Sequence, residues 1–155
     1  MTNCSIVETQ VGPIKFWLPN FDAIPAPLRT LPYALWIADP VIKDGAQKLK
    51  PNGRPSFNKA PRGLRGFLIS KKVPNEWATF SQVSEAFDPQ VHTGVGVLLN
   101  ATDGIVGIDL DDVADLKKQY PDLEHMLRKA IGSGIYCEKS PSSTGLRLFV
   151  SANLP

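Results

Sequence analysis

A short apolar run that ends in three carboxylates constrains the fold of this chain more than any other feature. The run is Gly104-Ile-Val-Gly-Ile-Asp-Leu-Asp-Asp112, and a polar segment with helical character follows it. Its density of Ile and Val is typical of a buried β-strand. Because side chains alternate along a strand, Asp109 and Asp111 are predicted to point the same way, about 7 Å apart. Two such carboxylates repel each other unless a cation lies between them, so they are a candidate site for a hard divalent metal such as Mg²⁺.

A second interpretation of the same acids is structural. Asp111 or Asp112 would cap the helix that follows, since carboxylates at a helix N-terminus accept hydrogen bonds from its unpaired amides and oppose the helix dipole. Capping requires one or two acids at the turn, but it does not require Asp109 two residues upstream. The local pattern leaves both interpretations open.

Composition places the chain among globular proteins without a membrane anchor. Its 155 residues, of which 43% are hydrophobic and 21% charged, suit a single domain spanning residues 1–155. No run approaches the roughly 18 apolar residues of a membrane span, and the N-terminus lacks the basic start and apolar core of a secretory signal. Its two cysteines and two histidines do not have the spacing of a zinc site. With so few cysteines, a cytoplasmic location is expected.

Positive charge is concentrated in residues 43–72. This segment holds nine Lys or Arg residues against Asp44 alone, and its many Pro and Gly residues predict a loop. A basic loop suits a polyphosphate or nucleic-acid ligand, although a solvated flexible loop is the alternative. Lys59, Arg62 and Arg65 are therefore the candidate nucleic-acid-binding residues.

Four segments are predicted to form an antiparallel sheet in an α+β fold. They are Val95–Leu99, Ile105–Asp109, Ile135–Lys139 and Leu146–Val150. The first two are predicted to pair as a hairpin through a tight connection at 100–104. Arg147 is expected on the same face of this sheet as Asp109, because a guanidinium that binds phosphate and a carboxylate that binds a metal ion would serve one site.

Helices are predicted within residues 112–131, packed on one face of that sheet. A further helix is predicted after Thr79, whose spacing to Gln82 is that of a capping box. Upstream, residues 33–37 are predicted to form the first strand of the folded core, which spans residues 31–155. The proline-rich residues 1–30 are predicted to be an extended N-terminal arm.

A second group of polar residues lies between the last two predicted strands. The connection is Ser140-Pro-Ser-Ser-Thr-Gly145, and Lys139 and Arg147 flank it. Hydroxyls, backbone amides and a guanidinium suit the binding of a triphosphate. An ordinary hydrophilic hairpin connection is the alternative, because Pro, Ser and Gly are common in turns.

Several segments, taken together, resemble the archaeo-eukaryotic primase superfamily. The two main ones are Gly104-Ile-Val-Gly-Ile-Asp-Leu-Asp-Asp112 and Tyr136-Cys-Glu-Lys-Ser-Pro-Ser-Ser-Thr-Gly-Leu-Arg-Leu-Phe-Val150. Upstream, in the order that such domains show, are Tyr33-Ala-Leu-Trp36, Lys59-Ala-Pro61, Trp77-Ala-Thr-Phe80 and Gly94-Val-Gly-Val97. The resemblance spans about residues 31–151 and is closest to the primase–polymerase domains at the N-terminus of phage and plasmid replication proteins.

The resemblance implies a template-dependent nucleotidyltransferase with an RRM-like catalytic sheet, acting in DNA replication of a mobile element. Asp109 and Asp111 would hold Mg²⁺ or Mn²⁺ ions for in-line nucleotide addition. The implied partners are a DNA template and primer, nucleoside triphosphates, and a fused or separate helicase.

The resemblance also implies a triphosphate site, and the chain departs from the family there at Arg147 and at Ser143, where a Gly is usual, and again downstream. Ser142, Thr144 and Arg147 would hold the triphosphate, with Lys139 beside them, although the family commonly has His where this chain has Arg147. The family's third motif, which carries a further acidic metal ligand, does not occur before the sequence ends at Pro155. The catalytic site and its fold are therefore expected to be incomplete at the C-terminus, either because the chain is a fragment of a longer replication protein or because it is a trimmed relative without a complete site.

Two other functions compete with this one. Ile108-Asp-Leu-Asp-Asp-Val113 also resembles the D-x-D-x-T/V motif of haloacid-dehalogenase-like phosphatases, in which the first Asp is a nucleophile. That family needs a later Lys, for which Lys139 is available, and later acids, but no acidic residue follows Glu138. The remaining alternative is a non-catalytic nucleic-acid-binding remnant that uses the basic loop, which the missing third motif favours.

Overall fold

A computed structural model describes residues 4–7, 14–70, 72–141 and 144–152. The chain divides into two compact units, residues 1–21 with 26–98 and residues 22–25 with 99–155. Both units combine short antiparallel strands with helices, so the fold is α+β, as predicted. No helix in the described part of the chain is long and apolar enough to cross a membrane.

The first unit is built mainly from short strands. These are β1 Cys4–Val7, β2 Ile14–Trp17, β3 Tyr33–Trp36, β4 Asp39–Pro40, β5 Ile42–Lys43, β6 Ala46–Gln47, β7 Phe57–Asn58, β8 Pro61–Arg62 and β9 Gly94–Val97. Its helices are α1 Ala26–Arg29 and α2 Phe80–Ala86, and Pro74–Glu76 form a 3₁₀ turn. Three strands form a sheet in the order β8-β3-β9, and the others pair as β1-β2, β4-β7 and β5-β6.

Strand β3 provides the core of the first unit. All four of its residues are buried, and Leu35 is fully buried together with Val83 of α2. A strand covered on both faces reads as a continuous apolar run, which is the pattern that predicted it. Helix α2 begins at the predicted capping box, in which Thr79 Oγ1 accepts from the Gln82 amide and Gln82 Oε1 accepts from the Thr79 amide. The predictions of this strand and of this helix start are confirmed.

Part of the segment predicted to be an extended arm packs into the first unit, in a second apolar cluster that contains Trp36 of β3. Strands β1 and β2 pair with each other, and the Phe16 side chain is only 1% exposed. Its ring contacts Trp36 and Phe57 edge-on, at centroid distances of 6.1 and 5.1 Å. The prolines that suggested an arm disfavour helices, but they do not prevent pairing of short strands at an edge.

The second unit contains the two candidate motifs. Its strands are β10 Ile105–Leu110, β11 Tyr136–Lys139 and β12 Leu146–Ser151, which form an antiparallel sheet in the order β10-β12-β11. Its helices are α3 Val113–Gln119 and α4 Leu123–Gly132, and Ala101–Asp103 form a 3₁₀ turn. These strands and helices lie within one or two residues of their predicted positions.

The predicted hairpin between β9 and β10 is wrong. Strand β9 pairs with β3, whereas β10 pairs with β12. The connection forms a 3₁₀ turn in which the Asp103 carboxylate accepts a hydrogen bond from the Asn100 amide at 2.6 Å, and Gly104 adopts φ 64°. The single predicted sheet is therefore two three-stranded sheets, one in each unit.

Candidate functional site

The sheet register of the second unit brings Asp109 and Arg147 side by side. Asp109 on β10 is the direct partner of Arg147 on β12, and Glu138 on β11 is the partner of Arg147 on its other side. Directly opposite residues of an antiparallel pair project from the same face. The three side chains therefore form a row of charges across the sheet, and the predicted common face of Asp109 and Arg147 is confirmed.

The Arg147 guanidinium lies between two carboxylates. Its Nε is 3.7 Å from Asp109 Oδ1, and its Nη1 is 3.9 Å from Glu138 Oε1. These distances are too long for strong hydrogen bonds, so the contacts are ion pairs rather than a bidentate clamp. The side chains of Arg147 and Asp109 are 32% and 56% exposed, so a ligand can reach both from solvent.

Glu138 belongs to this row of charges, although it was not among the residues predicted from the sequence. Its Oε2 accepts a hydrogen bond from the Tyr136 hydroxyl at 3.2 Å. Burial raises the pKa of Glu138 above its ordinary value and the nearby Asp109 adds to the rise, while Arg147 and the Tyr136 hydroxyl oppose it. The sequence could have indicated this position of Glu138. If the hairpin closes with Lys139 opposite Leu146, the next pair along the two strands is Glu138 with Arg147.

The turn between β11 and β12 rests against the end of β10. The Ser140 amide donates to the Gly145 carbonyl at 2.9 Å, and Ser140 Oγ accepts from the Gly145 amide at 3.0 Å. The Thr144 carbonyl accepts from the amide of Val113, the first residue of α3, at 2.9 Å. A Cβ atom on Gly145 would lie 2.5 Å from the Leu110 carbonyl oxygen. The described end of the connection, Thr144 and Gly145, therefore packs on the junction of β10 and α3.

The three acids at this junction differ in their backbone setting. Asp109 belongs to β10, whereas Asp111 follows the end of that strand and is exposed. Asp112 has a left-handed backbone at φ 47° and is the N-cap residue of α3, but its side chain makes no capping hydrogen bond. The structure therefore gives no support to side-chain capping by Asp112.

Asp109 and Asp111 are the candidate metal ligands. Carboxylate oxygens are the ligands that Mg²⁺ and Mn²⁺ prefer, and both side chains stand at exposed positions. Among the residues that the structure describes, no group of three or more His, Cys, Asp or Glu side chains could hold a metal ion. The donor set therefore fits a cation that takes one or two protein carboxylates and completes its coordination with water and phosphate oxygens.

The residues predicted to hold a triphosphate differ in their positions relative to the sheet face that carries Asp109. Ser142 lies outside the described residues. Thr144 is partly buried at the end of the turn, and its carbonyl is bonded to α3. Lys139 is exposed at the end of β11, where strand alternation directs it away from the face of Arg147. Of these residues, Arg147 shares a face with Asp109.

The three basic candidates in the first unit have different surroundings. Arg62 Nη2 forms an ion pair with Asp39 Oδ2 at 2.8 Å. Lys59 Nζ lies 5.6 Å from the centroid of the Trp36 ring, in a cation–π arrangement. Arg65 is exposed and forms no salt bridge with any residue that the structure describes. Arg65 is therefore the basic candidate presented most directly to a ligand.

Gly94 of β9 has a packing role. A Cβ atom there would lie 2.5 Å from the Trp36 indole, and Trp36 Nε1 donates to the Val95 carbonyl at 3.1 Å. Gly94 therefore allows the indole to lie directly against the β9 backbone.

Comparison with known proteins adds no family to these observations. A scan against protein-family models found no matching family, and a search of curated proteins found no matching protein. The resemblance to primase–polymerase domains accordingly rests on the motifs named above.

Proposed function

We propose that this chain is a nucleotidyltransferase domain of the primase–polymerase type, which adds nucleotides to DNA under the direction of a template. The observation that carries the proposal is the direct pairing of Asp109 with Arg147 across β10 and β12. A carboxylate that holds a metal and a guanidinium that binds phosphate must reach the same triphosphate, and this pairing supports that arrangement.

Asp109 and Asp111 would hold the Mg²⁺ or Mn²⁺ ion. When bound, the ion neutralises phosphate charge and orients the attacking 3′ hydroxyl and the leaving group. Asp111, which follows β10, would provide the second carboxylate oxygen. Few protein ligands suffice for such a cation, because the phosphates of the nucleotide provide others.

Arg147 would bind the phosphates of the incoming nucleotide. A guanidinium stays charged at all relevant pH values and offers several N–H donors in a planar fork that matches phosphate oxygens. Its loose pairs at 3.7 Å with Asp109 and 3.9 Å with Glu138 leave donors that a phosphate can take. Glu138, itself bonded to the Tyr136 hydroxyl, would position the guanidinium from the opposite side.

The basic segment of the first unit would bind the template and primer through their phosphates. Arg65 and Lys59 are suited to this role, whereas Arg62 would have to leave its ion pair with Asp39. The proposal includes nucleoside triphosphates as substrates and a fused or separate helicase as a partner. It places the domain in DNA replication of a mobile element, as its resemblance implies.

Extension of a labelled primer on a DNA template tests this proposal. The parent chain should incorporate nucleotides with Mg²⁺ or Mn²⁺, and Asp109→Asn should reduce incorporation by roughly a hundredfold or more, because an amide is a poor ligand for these cations. Asp122→Asn is the matched control, since Asp122 is exposed and its side chain makes no capping hydrogen bond at α4. Equal incorporation by the parent and Asp109→Asn would contradict the proposal.

Two other outcomes would assign a different function. Binding of DNA without incorporation would identify a non-catalytic binding module, which the lack of a third metal ligand in the described part of the chain favours. Release of phosphate from a simple phosphomonoester, lost in Asp109→Asn, would identify a haloacid-dehalogenase-like phosphatase with Asp109 as its nucleophile.

A further inference from the structure

The first unit contains an open groove of about 520 Å³ beside a small hairpin. Its lining includes Arg65, Phe67, Leu68, Trp77 and Gln82. We infer that this groove binds an unpaired base of single-stranded nucleic acid. The inference rests on the nucleic-acid binding proposed above, and it adds which form of nucleic acid is bound and through which contacts.

The hairpin spans residues 61–69 and has a defined conformation. The Gly63 amide donates to the Phe67 carbonyl at 2.9 Å. Gly66 turns the tip with φ 81°, a backbone conformation that favours glycine. Arg62 Nη1 donates to the Gly66 carbonyl at 3.1 Å and so fixes the turn from within. The backbone of the hairpin tip is therefore held by hydrogen bonds, and the side chains of the tip project from it.

Large apolar side chains project from this hairpin into solvent. Phe67 is 74% exposed, Leu68 is 65% exposed and Leu64 is 41% exposed. Exposed apolar side chains concentrated on one short hairpin favour a binding surface, because their exposure costs free energy in an isolated protein. Phe67 makes no ring contact with another aromatic side chain in the part of the chain that the structure describes. Its ring is thus available for stacking.

Two further side chains of the groove lining, Trp77 and Gln82, are held in place. Trp77 Nε1 donates to the Ser70 carbonyl at 3.1 Å, which orients the indole. The Gln82 side chain is fixed by its capping-box hydrogen bonds to Thr79. A groove whose walls are already ordered loses little conformational entropy when a flat ring enters it.

The basic segment that contributes Arg65 to the groove favours an anionic ligand. The segment 43–72 carries nine cations and one acid, and Arg65 itself lines the groove. Glu76 is the carboxylate in the lining, and its Oε2 accepts a hydrogen bond from the Ser70 amide at 3.1 Å. An exposed aromatic ring beside a guanidinium suits a chain of alternating bases and phosphates. A duplex keeps its bases stacked inside and would offer this groove only its phosphates.

Binding of the full chain to three fluorescent ligands tests the inference. The ligands are an oligothymidylate, an abasic strand of the same length and a duplex, and the parent should bind the oligothymidylate most tightly. Phe67→Leu keeps an apolar side chain but removes the ring, so it should weaken oligothymidylate binding by roughly tenfold, while abasic-strand binding stays unchanged. Phe67→Trp should retain the parent affinity. Val91→Ala alters an exposed apolar side chain outside the groove lining and is the control.

The salt dependence of binding separates base contacts from phosphate contacts. Arg65→Ala should reduce the slope of log affinity against log salt concentration by about 1 for both single strands. Phe67→Leu should leave that slope unchanged, because a ring releases no counterions.

The possible failures are distinguishable. If Phe67→Leu binds oligothymidylate as the parent does while Arg65→Ala binds more weakly, the inference is wrong and the proposed phosphate binding stands. If the parent binds none of the three ligands, both fail. If the parent self-associates, Phe67→Leu does not, and oligothymidylate binding is unchanged, the hairpin is an interface between copies of this chain and the inference is wrong.

Discussion

A side chain at Gly145 should displace the β11–β12 turn from the end of β10, so we expect Gly145→Ala to destabilise the candidate site. The new Cβ would lie 2.5 Å from the Leu110 carbonyl oxygen and 3.0 Å from Ser140 Oγ, whereas ordinary contacts begin at 3.4 Å. Because the nearer atom belongs to the backbone, the turn or the strand end must move by roughly 1 Å. Such overpacking costs about 1–3 kcal/mol.

Gly132→Ala is the matched control in the same unit. Gly132 is the last residue of α4, and nothing lies within 4 Å of a Cβ built on it. Replacing glycine by alanine in a helix stabilises it by up to about 1 kcal/mol, and somewhat less at a helix end. The two glycine substitutions should therefore act in opposite directions.

Hydrogen exchange followed by NMR is the suitable measurement, because all three tryptophans lie in the first unit and do not report on the second. The amides of Ser140 and Val113 are each hydrogen-bonded to carbonyls of the turn, at 2.9 Å. In Gly145→Ala their protection should fall by about tenfold for every 1.4 kcal/mol lost. Unchanged protection at both amides would refute the reasoning, as would an equal loss in Gly132→Ala.

Two further predictions concern Gly94 and Glu138. Gly94→Ala should destabilise the first unit by about 1–3 kcal/mol, because its Cβ would meet the Trp36 indole at 2.5 Å, whereas Gly96→Ala, with its nearest atom at 4.0 Å, should not. Equal urea midpoints for the two variants by tryptophan fluorescence would contradict this packing. Because the pKa of Glu138 is raised, the folded state binds its proton more tightly than the unfolded state, and the free energy of unfolding should fall as pH rises above the ordinary value of 4.5. Glu138→Gln should remove that decline, which unfolding followed by circular dichroism at several pH values measures. A difference in the free energy of unfolding between parent and variant that stays constant with pH would contradict this expectation.

The positions of strands and helices in the second unit could be predicted because they depend on local signals. The Ile and Val residues after Gly104 define β10, and the apolar spacing after Pro121 defines α4. The partners of the strands could not be predicted in the same way, since the segment 100–104 has the length of a hairpin connection. Its Asp103 carboxylate instead caps a 3₁₀ turn, and β10 pairs with a strand that follows two helices. Strand pairing is a long-range property that local composition does not determine.

The aromatic packing of the first unit also depends on residues far apart in sequence. Phe16 stands among prolines and looked like part of an arm, yet its ring is buried against Trp36. Gly94 is equally required by that indole. Neither residue carries a local signal of its role, because the contact exists only once β2, β3 and β9 have assembled.

The row of charges in the candidate site depends on the length of one turn. The closing pair of the β11–β12 hairpin is Lys139 with Leu146, which sets Glu138 opposite Arg147. Since side chains alternate with a period of two, a slip of β12 by one residue would replace Arg147 by a leucine on that face. The same slip would remove Arg147 from Asp109, because β12 is the central strand and its register with β10 shifts as well. Because β12 lies between β10 and β11, the Arg147 guanidinium meets a carboxylate on each neighbouring strand. A phosphate that binds Arg147 therefore meets a guanidinium flanked by both carboxylates, which ties the affinity of the site to the register of the sheet.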